Sequence, residues 1–394
     1  MKLFNTLSQS LEEFVPIENT VRIYVCGVTP YDTTHLGHAF TYVSFDTLMR
    51  YLLSRGYGVR YVQNVTDVDD DVIRKARELG MAWDELGNRE IDRFLRDMDA
   101  LNVRRPDVYA KATEHIAPVI EVVQFLVAQG YAYESAGCVF FRVKSDPEFG
   151  EMARAIGLFD YEAMLEVANE RGNFPEDTRK QDPLDFVLWQ AQAPDEPAWE
   201  SPWGPGRPGW HIECSAMAIR HLGEQIDIHG GGFDLAFPHH DCEITQSEHF
   251  TGKAPFSRTW MHIGMVYQDG EKMSKSLGNL TLVSKLLKEH SADVIRLVLL
   301  NHHYRYSWEC FPADLALATN MLGLFQQVRD LVGRAASGED SVLRERFNAI
   351  MDNDLNTPEA LLLLEQTAEL VLAAQDLNTS AELLRLTNVL GLTV

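Results

Sequence analysis

The pattern of apolar and polar positions predicts a strand, loop, helix, strand unit at the start of the chain. Val21 to Val25 (VRIYV) is a short β-branched run that stops at Cys26-Gly27, so it reads as a buried strand opening into a loop. From Ala39 the spacing of Phe40, Val43, Phe45, Leu48 and Leu52 is helical, and Gly58 to Val65 is a second strand with a polar end at Thr66-Asp67. Such a unit belongs to a parallel sheet. Residues 71–130 are mainly helical, and Cys138 to Val143 is another strand. Ser145 to Pro208 is rich in Gly, Pro and charge and reads as an insertion, after which strands return at Gln225 to His229 and Trp260 to Tyr267. Beyond Val283 the pattern is helical to the last residue. The expected fold is α/β, a doubly wound parallel sheet with an insertion and a C-terminal α-helical bundle. The expected boundaries are 1–100 for the first half of a nucleotide-binding domain, 101–202 for the insertion, 203–310 for the second half with its connector, and 311–394 for the bundle.

Composition narrows the class. A chain of 394 residues with 45% hydrophobic and 24% charged residues can bury a substantial core. The formal charge of −23 repels polyanions unless basic groups gather on one face, and it also fits a soluble enzyme. Five widely spaced cysteines, Cys26, Cys138, Cys214, Cys242 and Cys310, are no disulfide framework and fit a reducing compartment. No run reaches the ~18 apolar residues of a membrane span, and no signal peptide opens the chain, so a cytoplasmic location without membrane contact is expected.

Two motifs carry nucleotide chemistry. Thr34-His35-Leu36-Gly37-His38 follows a strand-end loop and opens a helix, where free N–H groups and the helix dipole favour phosphate. Gly37 permits close approach, and both histidines can donate hydrogen bonds. Far downstream, Glu271-Lys272-Met273-Ser274-Lys275-Ser276 is a cationic loop suited to charge building on departing pyrophosphate. Cys26, Cys214, His239 and Glu243 are soft and borderline ligand types beside predicted strand ends and loops. Sequence spacing does not assemble them, so a metal site and buried structural cysteines both stay open at this level.

The pair HxGH and KMSKS resembles the signature of class I aminoacyl-tRNA synthetases across nearly the whole chain. Within that class, PGWHIECSAM, DIHGGG, FPHHDCE and KMSKSLGN resemble the cysteinyl-tRNA synthetases and their relative, the mycothiol cysteine ligase. The resemblance implies a Rossmann-like catalytic domain and an AMP-forming ligase. In such an enzyme His35, His38, Lys272 and Lys275 stabilise the transition state as the cysteine carboxylate attacks ATP, used with Mg2+. It implies one zinc ion on Cys26, Cys214, His239 and Glu243, bound directly by the substrate thiolate to separate cysteine from serine. It further places Trp210 as a wall of the cysteine pocket, Thr66 beside the amino acid and Asp234 on its ammonium. Gly230, Gly231 and Gly232 fall under the adenosine, and Thr29 and Ser274 among the substrate contacts. Cys138, Cys242 and Cys310 match no ligand position.

The resemblance divides over the acceptor. The chain stops at Leu392-Thr393-Val394, where the tRNA enzymes continue into an anticodon-reading module and the mycothiol ligase does not. TPYDTTHLGHA, VQNVTDVDD, NERGNFPEDTRKQDPLDFVLW and GNLTLVSKL resemble the mycothiol ligase, while DIHGGG and Glu243 resemble the tRNA enzymes. The expected acceptor is the amine of glucosaminyl-inositol, with tRNA-Cys the alternative. A non-catalytic binding paralogue is disfavoured by the intact signature residues, and a zinc hydrolase by the lack of HExxH.

Overall fold

A computed structural model describes residues 1–31, 34–268, 270–272, 280–333 and 340–394, with the backbone alone for Glu271 and Lys272. Its centre is a five-stranded parallel sheet in the order Ser257–Ile263, Ile226–Gly232, Thr20–Val28, Gly58–Val65, Val108–Lys111. The chain enters at the middle strand, Thr20–Val28. It builds outward through Gly58–Val65 and Val108–Lys111, then returns to build the other side. The order therefore reverses between Thr20–Val28 and Ile226–Gly232, where Val25 pairs with Gly230. In open α/β sheets such a reversal leaves a crevice at the carboxyl ends of the strands.

Helices cover both faces. Leu36–Ser54 lies between the sheet and the C-terminal helices, which is why 13 of its 19 residues are buried rather than a single stripe. Trp210–Leu222 packs on the opposite face, against Tyr24, Val62 and Trp260. The bundle consists of Pro312–Val332, Ser341–Met351, Thr357–Ala374 and Leu377–Val389.

The insertion forms its own layer, an antiparallel sheet of Ala132–Ser135, Cys138–Phe141, Phe186–Ala191 and Gly206–Pro208, with a separate apolar core. Its limits differ from residues 101–202. Val108–Lys111 belongs to the parallel sheet, and Gly206–Pro208 belongs to the antiparallel one. Four residues are too few to show a period, and flanking Gly and Pro mask an edge strand. The expected strand from Trp260 to Tyr267 is two strands, Ser257–Ile263 and Val266–Gln268. The second pairs with Glu271–Lys272 and with Trp308–Glu309. Among the described residues no helix is long and apolar enough to cross a membrane.

Candidate active site and metal centre

At the sheet reversal four segments meet. Cys26 comes from the end of the middle strand, Cys214 from near the start of Trp210–Leu222, His239 from the turn Ala236–His240 and Glu243 from the first turn of Asp241–Thr251. Their donor atoms all lie within 4.8 Å of one another, and every one of these side chains is buried. The Cys26 and Cys214 sulfurs are 3.9 Å apart, Cys26 Sγ is 3.5 Å from Glu243 Oε1, and His239 Nε2 is 3.1 Å from the same oxygen. A tetrahedral zinc with bonds of about 2.0–2.3 Å has donor-to-donor edges of roughly 3.3–3.8 Å. The spacing of the set thus fits such an ion.

The electrostatics fit as well. Burial pushes the Glu243 carboxyl up, but the charges of His229 and His239 and hydrogen bonds from both outweigh it and hold the group down to about 2. Burial pushes the His239 imidazole down, and Glu243 and Cys214 outweigh it, raising the group to about 10. Burial raises both thiols. Hydrogen bonding to Cys26 and the charge of His239 nonetheless bring Cys214 to about 6, while Cys26, beside Cys214 and Glu243, is raised well above the usual range. The Glu243 carboxylate and the readily ionised Cys214 thiol draw positive charge into the pocket, and the proton they hold on His239 is what a divalent cation would displace.

Behind these four residues stands a layer of histidines that sequence reading did not single out. His229 Nε2 is 2.9 Å from Glu243 Oε2, His240 Nε2 is 3.3 Å from Cys26 Sγ, and His240 Nδ1 is 2.7 Å from His262 Nε2. His211 Nδ1 is 2.8 Å from His239 Nδ1. Such partners fix the orientation of ligand groups. They also give an alternative donor set, Cys26, His229, His240 and Glu243. Lateral pairing of strands creates the layer, as where His262 stands opposite Gly231, and no spacing along the chain announces it.

A cavity of about 820 Å³ reaches this cluster at Cys26 and is lined also by Thr29, His35, His38, Trp210, Gly232 and Asp234 among others. His35 is the N-cap of Leu36–Ser54, its Nδ1 accepting from the Gly37 N–H at 3.1 Å, so Nε2 carries the ring proton. The His35 and His38 rings stack at 3.8 Å. A side chain at position 37 would meet the His35 ring at 2.9 Å, so this glycine serves the cap. The backbone on either side is tied down, with Leu36 N–H donating to Thr281 O at 2.9 Å and Val283 N–H to Thr34 O at 3.1 Å. The HxGH helix start is therefore stitched to the segment just past KMSKS. Ser274 and Lys275 lie outside the described residues, as does the side chain of Lys272.

The other expected contacts separate. Trp210 stacks on His239 with ring centroids 4.4 Å apart, and Asp234 and Thr29 line the cavity. Gly232 also reaches it, whereas Gly230 backs onto Phe45 of the Leu36–Ser54 helix and Gly231 faces Leu235 and Cys26. Thr66 is buried at a strand end, receives a hydrogen bond from Asn64 Nδ2 at 3.4 Å and interacts with Glu213, outside the lining of the cavity. A second cavity of about 1390 Å³ shares Thr29, Trp210 and Asp234 with the first and runs between the insertion and Asp69–Asp71. Among the remaining cysteines, Cys138 accepts from Arg179 Nη1 at 2.8 Å, and Cys138, Cys242 and Cys310 are all free thiols.

Comparison with known proteins agrees with this arrangement. Residues 13–320 match the family model described as the tRNA synthetases class I (C) catalytic domain. A cysteine--tRNA ligase of Dehalococcoides mccartyi is 46% identical over 92% of this chain and 78% of its own length, and one from Legionella pneumophila is 44% identical over 99% and 85%. The L-cysteine:1D-myo-inositol 2-amino-2-deoxy-alpha-D-glucopyranoside ligase of Thermomonospora curvata is 47% identical over 90% of this chain and 84% of its own. Among solved structures, Mycobacterium tuberculosis methionyl-tRNA synthetase in complex with methionyl-adenylate superposes with a TM-score of 0.67 at 17% identity, covering 94% of this chain and 89% of that one. With the HxGH helix and the buried thiol and imidazole cluster at one sheet reversal, the chain belongs to the class I (C) tRNA synthetase family and is an ATP-dependent cysteine ligase.

Proposed function

We propose that the protein activates L-cysteine with ATP to cysteinyl-AMP and pyrophosphate, selects cysteine at a zinc centre, and transfers the cysteinyl group to tRNA-Cys. The observation that carries the reading is the convergence of Cys214, His239 and Glu243 on Cys26, which lines the same cavity as His35 and His38. Bound by those four residues, zinc would supply a bond that a thiolate makes and a hydroxyl makes poorly. Asp234 offers the ammonium a carboxylate, and Trp210, held flat on His239, closes the side of the pocket. The stacked His35 and His38 rings stand at a helix N-terminus, where charge on the phosphates is stabilised.

Transfer to tRNA-Cys is supported by relatives named cysteine--tRNA ligase that match 92% and 99% of the chain. This differs from the amino-sugar acceptor favoured by motif resemblance. That second reading keeps one support, the 47% identity to the inositol-sugar ligase. Cysteine-dependent exchange of pyrophosphate into ATP is the expected activity, and an equal rate with serine would end the zinc-selectivity argument. Supplying tRNA-Cys and glucosaminyl-inositol in parallel then decides the acceptor, since acylation of the sugar alone overturns the tRNA reading.

Lys275→Ala is expected to slow exchange roughly 100-fold with little change in the KM for cysteine, the loss typical of one transition-state donor. An unchanged rate would remove this lysine from the mechanism.

A further inference from the structure

Asp234 and His239 sit on one short, kinked segment. Two brief helical turns, Phe233–Leu235 and Ala236–His240, run into each other there, and Phe237 inside the second is extended, with φ −138° and ψ 136°. An extended residue breaks the helical ladder, so carbonyls around it need partners from elsewhere. Arg171 of the insertion provides one. Its Nη1 donates to both Asp234 O and Phe237 O.

Arg171 is the C-cap of the Tyr161–Glu170 helix, and an arginine at such a position ordinarily serves its own helix end. Here the guanidinium instead crosses to a different layer of the protein. The turn that carries it is braced from below. Asn173 N–H donates to Ala168 O at 3.1 Å, Asn173 Nδ2 to Pro183 O at 3.1 Å, and Lys180 Nζ to Asn173 Oδ1 at 2.5 Å. Phe149 of the insertion packs edge-on against Phe237 with ring centroids 6.5 Å apart, fixing the same segment from its other side.

We infer that Arg171 is a positioning residue for cysteine recognition: by bridging two backbone carbonyls it sets the spacing between the Asp234 carboxylate and the His239 imidazole. The two groups then read the ammonium and the thiol end of one small substrate together. The inference rests on the roles proposed above for Asp234 and the metal set. Lysine does not replace this function, because both bonds leave the one Nη1, whose two N–H groups are fixed in the guanidinium plane, whereas those of an ammonium turn freely on a flexible stem.

Arg171→Gln and Arg171→Lys, purified alongside the unaltered enzyme, test it. Pyrophosphate exchange is expected to show a KM for cysteine raised about tenfold or more in both variants, with the KM for ATP within about twofold. Cobalt-substituted protein should show a visible absorption band displaced from that of the unaltered enzyme, since His239 would turn relative to its neighbours. Millimolar guanidinium should lower the cysteine KM of Arg171→Gln. Unchanged cysteine KM and an unchanged cobalt spectrum in Arg171→Lys would overturn the inference even if Arg171→Gln fails to fold. Absence of cysteine-dependent exchange in the unaltered enzyme would instead overturn the proposed function.

Discussion

Changing Cys214 to serine is expected to release the metal and with it the preference for cysteine. Cys214 is buried near the start of its helix, 3.9 Å from the Cys26 sulfur. Serine is smaller and keeps a hydrogen-bonding group, so the helix can stand while the soft donor is lost. A hydroxyl is a poor zinc ligand and does not ionise near neutral pH, so the three donors left form an incomplete tetrahedron. Metal content should fall from roughly one zinc per chain to well below half. Cysteine-dependent exchange should drop at least about 100-fold, the upper end of losses seen when even outer partners of a metal are removed. Metal analysis after dialysis and exchange assays with cysteine and serine check both. A full zinc equivalent retained by the variant would place the metal elsewhere, the alternative set with His229 and His240 being the first place to look.

Asp46→Ala is expected to be the most destabilising single change in the catalytic half. Asp46 is fully buried and accepts from Arg296 Nη2, from Arg50 Nε at 2.8 Å and from the Arg104 N–H at 2.9 Å. Arg296, also fully buried, donates to Leu390 O at 2.7 Å and to Leu101 O at 3.0 Å. This single guanidinium thus ties the HxGH helix to the Ala292–Leu300 helix and to the end of the bundle. Burial pushes the Arg296 guanidinium down, with Asp46 opposing, yet guanidinium stays charged at any ordinary pH. Removal of Asp46 leaves that charge with only neutral partners, two carbonyls and the Thr47 hydroxyl, and an uncompensated buried charge costs about 3–5 kcal/mol. Urea unfolding followed by circular dichroism measures the loss. Asp46→Asn, which keeps an acceptor oxygen, should fall between. A loss below about 1 kcal/mol, the size of an ordinary surface change, would show that the pair does not hold the two halves together.

Much of the fold was legible because its elements obey strong local rules. Gly58 to Val65 is a β-branched run ended by polar residues, and the structure has a strand over the same residues. The middle strand runs three residues past Val25, the pairing resuming at Val28 with Val65 after a register shift across Cys26-Gly27. Strands of the insertion were hidden for opposite reasons. Phe186–Ala191 is apolar but lies in a stretch dominated by Gly, Pro and charge, and Gly206–Pro208 carries the very residues that argue against a strand. At the site, Cys26 and Cys214 were candidate ligands by residue type and position, but only family resemblance joined them, since nothing in their spacing brings them together. The histidines at 229, 240 and 262 were invisible for a deeper reason: strand order sets the strands of 229 and 262 side by side, and the turn Ala236–His240 brings 240 against both rings. Gly230 shows the converse. A glycine expected beneath a nucleotide is small because Phe45 crosses over it.

The separation of the metal-binding donors has a consequence for synthesis. Cys26 lies 188 residues before Cys214, and Glu243 follows later still. At translation rates of roughly 5–20 residues per second, the first thiol is made about 10–40 seconds before the second. Throughout that interval Cys26 sits on a nascent βαβ unit without its partners, and the strand that will shield it, Ile226–Gly232, does not yet exist. The pocket therefore closes late, on a chain more than half made, and the cell must keep one nucleophilic sulfur reduced and metal-free until it does.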